Sequence, residues 1–185
     1  MTVPLSGRTA IVGPSGIGKT RLTARAFEAW VDRFGAAGTV ALDFGPEVDV
    51  DGRTVGRRLD RFVPIPAEAW YGVLDAHGPR TEGSTPVAVA ALARENAAGA
   101  ERLLDAAPAS PAAVFVNDVT IAAHHDRRVF ERVLEYAALA RCAVVNGYDG
   151  QDLGDDDPLT RRERVAIDHL IGWADRVVRP PVDDA

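Results

Sequence analysis

Four short apolar runs punctuate the chain, and between them apolar positions recur at helical spacing. Arg8-Thr9-Ala10-Ile11-Val12 turns apolar toward its end, as a buried strand does. Leu22, Ala26 and Trp30, with Phe27, Val31 and Phe34, then follow a 3.6-residue period that Gly35 can end. Thr39-Val40-Ala41-Leu42-Asp43-Phe44 reads as a second strand. Residues 45–84 carry Pro46, Pro64, Pro66 and Pro79 and little periodicity. So long a stretch predicts a functional insertion or mobile loop, with short helices over 55–62 and 67–76. Thr85-Pro86 reads as a cap followed by proline at the first helical position, opening a helix that runs to about Ala107, before Pro108.

The third strand is Ala113-Val114-Phe115-Val116-Asn117-Asp118. Asp126 can cap the next helix, with Val129, Phe130, Val133, Leu134, Ala137 and Ala138 on its inner face. Cys142-Ala143-Val144-Val145-Asn146 is the fourth strand. An acidic loop with Asp155-Asp156-Asp157 precedes Thr160-x-x-Glu163, which has the form of a capping box. Val165, Ile167, Leu170, Ile171 and Trp173 mark the last helix, and Val177-Val178 a final short strand. Alternating strands and helices predict an α/β fold, a mostly parallel sheet in a three-layer domain with ligands at the carboxyl ends of the strands.

Composition narrows the picture further. A chain of 185 residues with 46% hydrophobic positions suits one domain, 1–185, with a sizeable core. The net charge of −6, with no basic tail, makes nucleic acid an unlikely main ligand. Cys142 is the lone cysteine, so no disulfide framework is expected. No apolar run reaches membrane-spanning length, and the glycine-rich segment starts too near Met1 to leave room for a signal peptide. These features predict a cytoplasmic protein without a membrane partner.

Positive charge is carried by arginine everywhere except Lys19, the only lysine. It lies in Gly13-Pro14-Ser15-Gly16-Ile17-Gly18-Lys19-Thr20, which matches G-x-x-x-x-G-K-[ST] in full. An ammonium is a compact point charge, where a guanidinium is a broad fork, so a tight phosphate loop accepts the first and not the second. Glycines let backbone N–H groups face inward, and the following helix adds its positive end. Through this Walker A motif the chain resembles the P-loop NTPase superfamily. The resemblance implies that Gly13 to Thr20 wrap a nucleoside triphosphate, with Lys19 on the β- and γ-phosphates and Thr20 on Mg²⁺; of the two bases, ATP is favoured over GTP.

Such a site needs a carboxylate near the metal. Asp118 resembles a Walker B aspartate, and Asp43 also ends an apolar strand; each alternatively caps the turn that follows it. Val119 stands where many ATPases place a glutamate base, and Glu47 is a substitute for it. Asn146-Gly147-Tyr148-Asp149 resembles the N-K-x-D guanine-reading motif, with Gly147 in place of lysine, or is simply a turn-forming loop. Arg57, Arg58 and Arg61, Arg127 and Arg128, and Arg161, Arg162 and Arg164 can stabilise phosphoryl charge or form solvated faces. His124-His125-Asp126 reads as a loop with a helix cap rather than a metal site, and Trp70 with Tyr71 as core packing or a stacking surface. Three functions fit: a Mg²⁺-dependent NTPase with Lys19 and Asp118 at its centre, a small-molecule kinase, or a nucleotide-gated binding module with little turnover. A protein partner or a second copy of the chain is compatible with each.

Overall fold

A computed structural model describes residues 2–50, 53–150 and 158–181; the acidic run Asp155-Asp156-Asp157 lies outside them. The strands are β1 (Gly7–Gly13), β2 (Thr39–Asp43), β3 (Val48–Val50), β4 (Arg53–Val55), β5 (Trp70–Val73), β6 (Ala113–Asn117), β7 (Cys142–Tyr148) and β8 (Arg176–Val178). The helices are α1 (Lys19–Phe34), α2 (Pro79–Glu82), α3 (Pro86–Ala106), α4 (Arg127–Ala138) and α5 (Pro158–Trp173). Six strands form one parallel sheet in the order β5-β2-β6-β7-β1-β8, and β3 with β4 forms a separate antiparallel hairpin.

Strand residues alternate between two cores, as a pleated sheet covered on both faces requires. Phe115, Cys142 and Val144 face α1, where they meet Phe27 and Trp30. Val114, Val116 and Val145 face α3, α4 and α5, where they meet Leu104, Phe130, Val133 and Leu170. The result is a three-layer α/β/α arrangement. Phe27 stacks edge-on against Phe115 with ring centroids 5.4 Å apart, and Trp30 Nε1 donates to Thr39 Oγ1 at 3.1 Å. Local signals hold at several element ends. Thr85 Oγ1 accepts from Ala88 N at 3.2 Å beside Pro86, and Asp126 Oδ1 accepts from the Arg128 and Val129 amides at 3.0 and 3.4 Å. The expected final strand is β8, which pairs with β1.

The stretch 45–84 departs from expectation. No helix spans 55–62 or 67–76: the first contains the end of β4 and a 3₁₀ turn at Leu59–Arg61, and the second contains β5. Trp70-Tyr71-Gly72-Val73 is rich in aromatic and β-branched residues, which fit a half-buried edge strand beside β2. The stretch is also closely pinned to the sheet. Gly56 has φ +74°, and a Cβ there would lie 1.9 Å from the Pro46 carbonyl oxygen, so only glycine fits.

The capping box at Thr160 does not form either. Helix α5 starts two residues earlier, at Pro158, so Thr160 and Glu163 sit inside it. Both side chains turn instead to Arg80 of α2. Ala138 is exposed rather than on the inner face of α4, and Val165 is exposed on α5. Strand β6 ends at Asn117, one residue before Asp118, while β7 runs on through Asn146 and Gly147 to Tyr148.

Candidate functional site

The registers β1–β7, β7–β6 and β6–β2 bring the carboxyl ends of four strands side by side. The loop from Gly13 to Gly18 leaves β1 at this end and enters α1 at Lys19. Gly16 and Gly18 have φ of +78° and +91°, conformations that cost other residues about 1 kcal/mol or more. Gly18 is the N-cap of α1 and has no side chain to cap it, so the helix's first amides stay open toward the loop. A cleft of about 480 Å³ lies here. Ser15, Gly16, Ile17, Gly18, Lys19 and Thr20 line one side, Gly56, Arg57 and Phe62 another, and Asn117, Asp118 and Asn146 the sheet edge.

Lys19 Nζ donates to the Pro14 carbonyl at 2.6 Å and lies 5.8 Å from the Tyr148 ring centroid. Burial lowers its pKa, against the pull of Asp118 and Asp149 in the other direction. Asp118 is the one non-glycine residue with positive φ, +58°, among the described residues. Its amide donates to Asn146 Oδ1 at 2.9 Å, and its Oδ1 accepts from Thr120 Oγ1 at 2.9 Å. Burial raises the Asp118 pKa, although Lys19 and Thr120 both act to lower it. A left-handed aspartate with an elevated pKa, facing a cleft, is the kind of local strain that gathers at functional sites.

Asp43 is placed differently from the expectation that it holds a metal. It is fully buried and does not line the cleft. Its Oδ2 accepts from Leu59 N at 2.6 Å and Tyr71 Oη at 2.7 Å, and its Oδ1 from Asn117 Nδ2 at 2.5 Å. Both oxygens are thus occupied by protein donors. Burial raises its pKa against these three hydrogen bonds. Its role is to tie the 3₁₀ turn and β5 to the sheet. Glu47 is likewise engaged, by Arg61 at 2.9 and 3.1 Å and by the Arg58 amide at 3.3 Å, and lies outside the cleft lining.

The guanine-reading arrangement is not formed. Asn146 lies within β7 with its side chain buried. Asp149 accepts from Arg179 Nη2 at 3.3 Å. A Cβ on Gly147 would come within 2.9 Å of Ile167 Cδ1 and 3.2 Å of Thr120 Cγ2, so a side chain there requires Ile167 to shift. Tyr71 is engaged with Asp43, and Trp70 packs on the core rather than offering a stacking surface. Of the arginine clusters, Arg57 lines the cleft. Arg127 pairs with Glu131 at 2.6 Å, and Arg162 Nη1 donates to the His124 carbonyl at 2.5 Å.

Two polar groupings had not been singled out from the sequence. The first joins Thr23, Asn117 and Asn146 under the cleft. Its signal was present: two apolar strand runs each reach an asparagine, Asn117 and Asn146. The second is His124, Glu163 and Arg80. His124 Nε2 lies 2.6 Å from Glu163 Oε1, and Arg80 donates to both Glu163 oxygens at 3.1 and 2.9 Å. Burial acts to raise the Glu163 pKa, but His124 and Arg80 outweigh it and hold it below the usual range. This pairing spans 83 residues between Arg80 and Glu163, and no local pattern announces it.

A hydroxyl and a carboxylate, Thr20 and Asp118, line one cleft, and both are hard oxygen donors suited to Mg²⁺. Among the described residues no group of three His, Cys, Asp or Glu could hold a metal without further ligands. No described helix is long and apolar enough to cross a membrane. No protein-family model matches the chain, and comparison with curated proteins gives no match.

Proposed function

We propose that this protein binds a nucleoside triphosphate as its magnesium complex in the cleft between the Gly13–Thr20 loop and Asp118. One observation carries the reading. The loop that matches the Walker A motif opens a helix at the carboxyl end of a parallel strand, and its lysine and threonine share a cleft with a strand-end aspartate. The open α1 amides and Lys19 would hold the phosphates. Thr20 and Asp118 would hold Mg²⁺, which neutralises charge on the transferring phosphoryl group. Arg57, which lines the same cleft, would reach the same phosphates. With Asn146 buried and Asp149 paired to Arg179, the described residues form no guanine-reading loop, and we take ATP rather than GTP as the ligand.

The reaction that follows is hydrolysis, at a modest rate. Among the described residues Asp118 is the one carboxylate lining the cleft and no histidine lines it, and Val119 is buried. A general base for water is therefore lacking among the described lining residues. The same observation favours a second reading, a nucleotide-gated binding module with little turnover.

Calorimetric titration of MgATP and MgGTP into wild type and Lys19→Ala tests the site. A charge-assisted phosphate contact of about 1.5–3 kcal/mol corresponds to a loss of roughly 10- to 100-fold in the variant. Wild type that binds neither nucleotide sinks the proposal. Binding without measurable phosphate release selects the module reading over hydrolysis.

A further inference from the structure

Thr23, Asn117 and Asn146 are 0%, 2% and 1% exposed and form a hydrogen-bond chain whose direction is fixed. A backbone amide can only donate, so the Asp118 N–H makes Asn146 Oδ1 an acceptor. Asn146 Nδ2 must then donate, and it meets Thr23 Oγ1 at 2.8 Å and Asn117 Oδ1 at 2.9 Å. That in turn orients Asn117, whose Nδ2 donates to Asp43 Oδ1 at 2.5 Å and the Arg57 carbonyl at 3.0 Å. At the other end, Thr23 Oγ1 donates to the Lys19 carbonyl at 3.0 Å. One continuous chain therefore runs from the first turn of α1, past Asp118, to the wall that carries Arg57.

Apolar side chains would fill these positions without the desolvation cost of burying amides. A fully satisfied polar network does something that an apolar core does not: it fixes a single arrangement of the groups it joins. Here those groups are the lysine turn, the strand-end acid and the Arg57 segment. Asn146 is their common member, and among the described residues it is the only side chain that holds the amide of left-handed Asp118. Without it, nothing on this network opposes relaxation of Asp118 toward ordinary backbone angles.

We propose that Asn146 is a positioning residue that locks Asp118 to the first turn of α1, so that metal and phosphates are held at a fixed spacing. The inference rests on the nucleotide reading above. Its consequence is coupling: Mg²⁺ and nucleotide strengthen each other's binding only while the acid and the helix turn are held together.

The test compares nucleotide affinity with Mg²⁺ and with EDTA, using the full chain and whichever of ATP and GTP wild type binds. In Asn146→Ala the gain in affinity from Mg²⁺ is expected to shrink about tenfold, the equivalent of one lost hydrogen bond, while metal-free affinity changes less than about threefold. Thr23→Val keeps the side-chain shape and removes one acceptor from Asn146; the gain is expected to shrink about twofold. Thermal unfolding shows which variants fold, and Thr23→Val decides the matter if Asn146→Ala does not. An unchanged Mg²⁺ gain in a folded variant overturns the inference. So does an equal fall of both affinities, which is what a merely structural role produces, and so does a wild type that binds nucleotide without regard to Mg²⁺. Absence of any wild-type nucleotide binding is a different result and removes the underlying reading itself.

Discussion

Two buried polar regions flank the 3₁₀ turn Val119–Ala123, and burial acts on them with opposite results. At its start, Asp118 and Lys19 share a cleft, and burial disfavours the charge on each: the aspartate pKa rises and the lysine pKa falls. At its end, Glu163 is as deeply buried, yet His124 and Arg80 hold its pKa below the usual range. The difference is in the partners. Glu163 receives a two-pronged guanidinium and a ring nitrogen within 3.1 Å. Asp118 receives a hydroxyl, the field of a lysine whose own hydrogen bond goes to Pro14, and the smaller, opposed fields of His124 and Glu163. In one region the carboxylate is fully paired, although His124 Nδ1 is buried with no partner among the described residues. In the other, among the described residues, no cation contacts Asp118 and no anion contacts Lys19, and the proposed magnesium–nucleotide complex would supply both.

Breaking the fully paired region should have the largest effect. Glu163→Gln removes the carboxylate that Arg80 and His124 share, and removing one partner of a buried pair costs about 3 kcal/mol. Urea unfolding at neutral pH measures this loss. The pH dependence follows from the lowered Glu163 value. The stability contributed by its ionised form is complete above the ordinary glutamate value of 4.5 and is lost as pH falls through its lower folded value. Wild type should therefore lose its advantage over Glu163→Gln in that acid window. An advantage that persists to lower pH would mean that the pair's charge is not what stabilises the region.

The incomplete region should respond with the opposite sign. Asn tolerates the left-handed conformation at position 118 better than most residues and carries no charge to bury. Asp118→Asn is expected to stabilise the fold by roughly 0.5–2 kcal/mol, while the Mg²⁺-dependent part of nucleotide affinity disappears. The sign agrees with linkage: a raised aspartate value means that ionised Asp118 opposes folding above that value, so neutralising it helps. A variant less stable than wild type at neutral pH would contradict this account of the cleft.

The sequence made one of these regions far more visible than the other. The glycine loop, Lys19, Thr20 and Asp118 are set by local pattern, because a strand, a turn and a helix start lie within a few residues of one another. The caps at Thr85 and Asp126 and the apolar strands were legible for the same reason. Asp43 carried an equally good local pattern but is engaged by Leu59, Asn117 and Tyr71, partners brought to it by the fold. The stretch 67–76 reads as a weak helix in isolation, and its pairing with β2 decides that part of it becomes a strand. Glu163 looked like half of a capping box because its partners, Arg80 and His124, lie 83 and 39 residues away. Local chemistry marked the loop and the acid, while tertiary pairing settled which acids face the cleft and which are bound within the protein.

The finest test lies in Thr120, within the turn that joins the two regions. Its Oγ1 donates to Asp118 Oδ1 at 2.9 Å, and this bond acts to lower the aspartate pKa. Thr120→Val keeps the branched shape packed near Gly147 and deletes only the donor. The stability change should be small, about 1 kcal/mol or less, because the lost bond is offset by releasing a buried hydroxyl. The informative change is in pH. With the donor gone, the Asp118 pKa rises further, protons compete with Mg²⁺ at higher pH, and the midpoint at which Mg²⁺-dependent nucleotide affinity is lost moves upward. The acid unfolding limb set by Glu163 should stay where it is, since its partners are Arg80 and His124 and not Thr120. Should that limb move together with the Mg²⁺ midpoint, the turn transmits between the two regions, and their separation into a paired and an incomplete half fails.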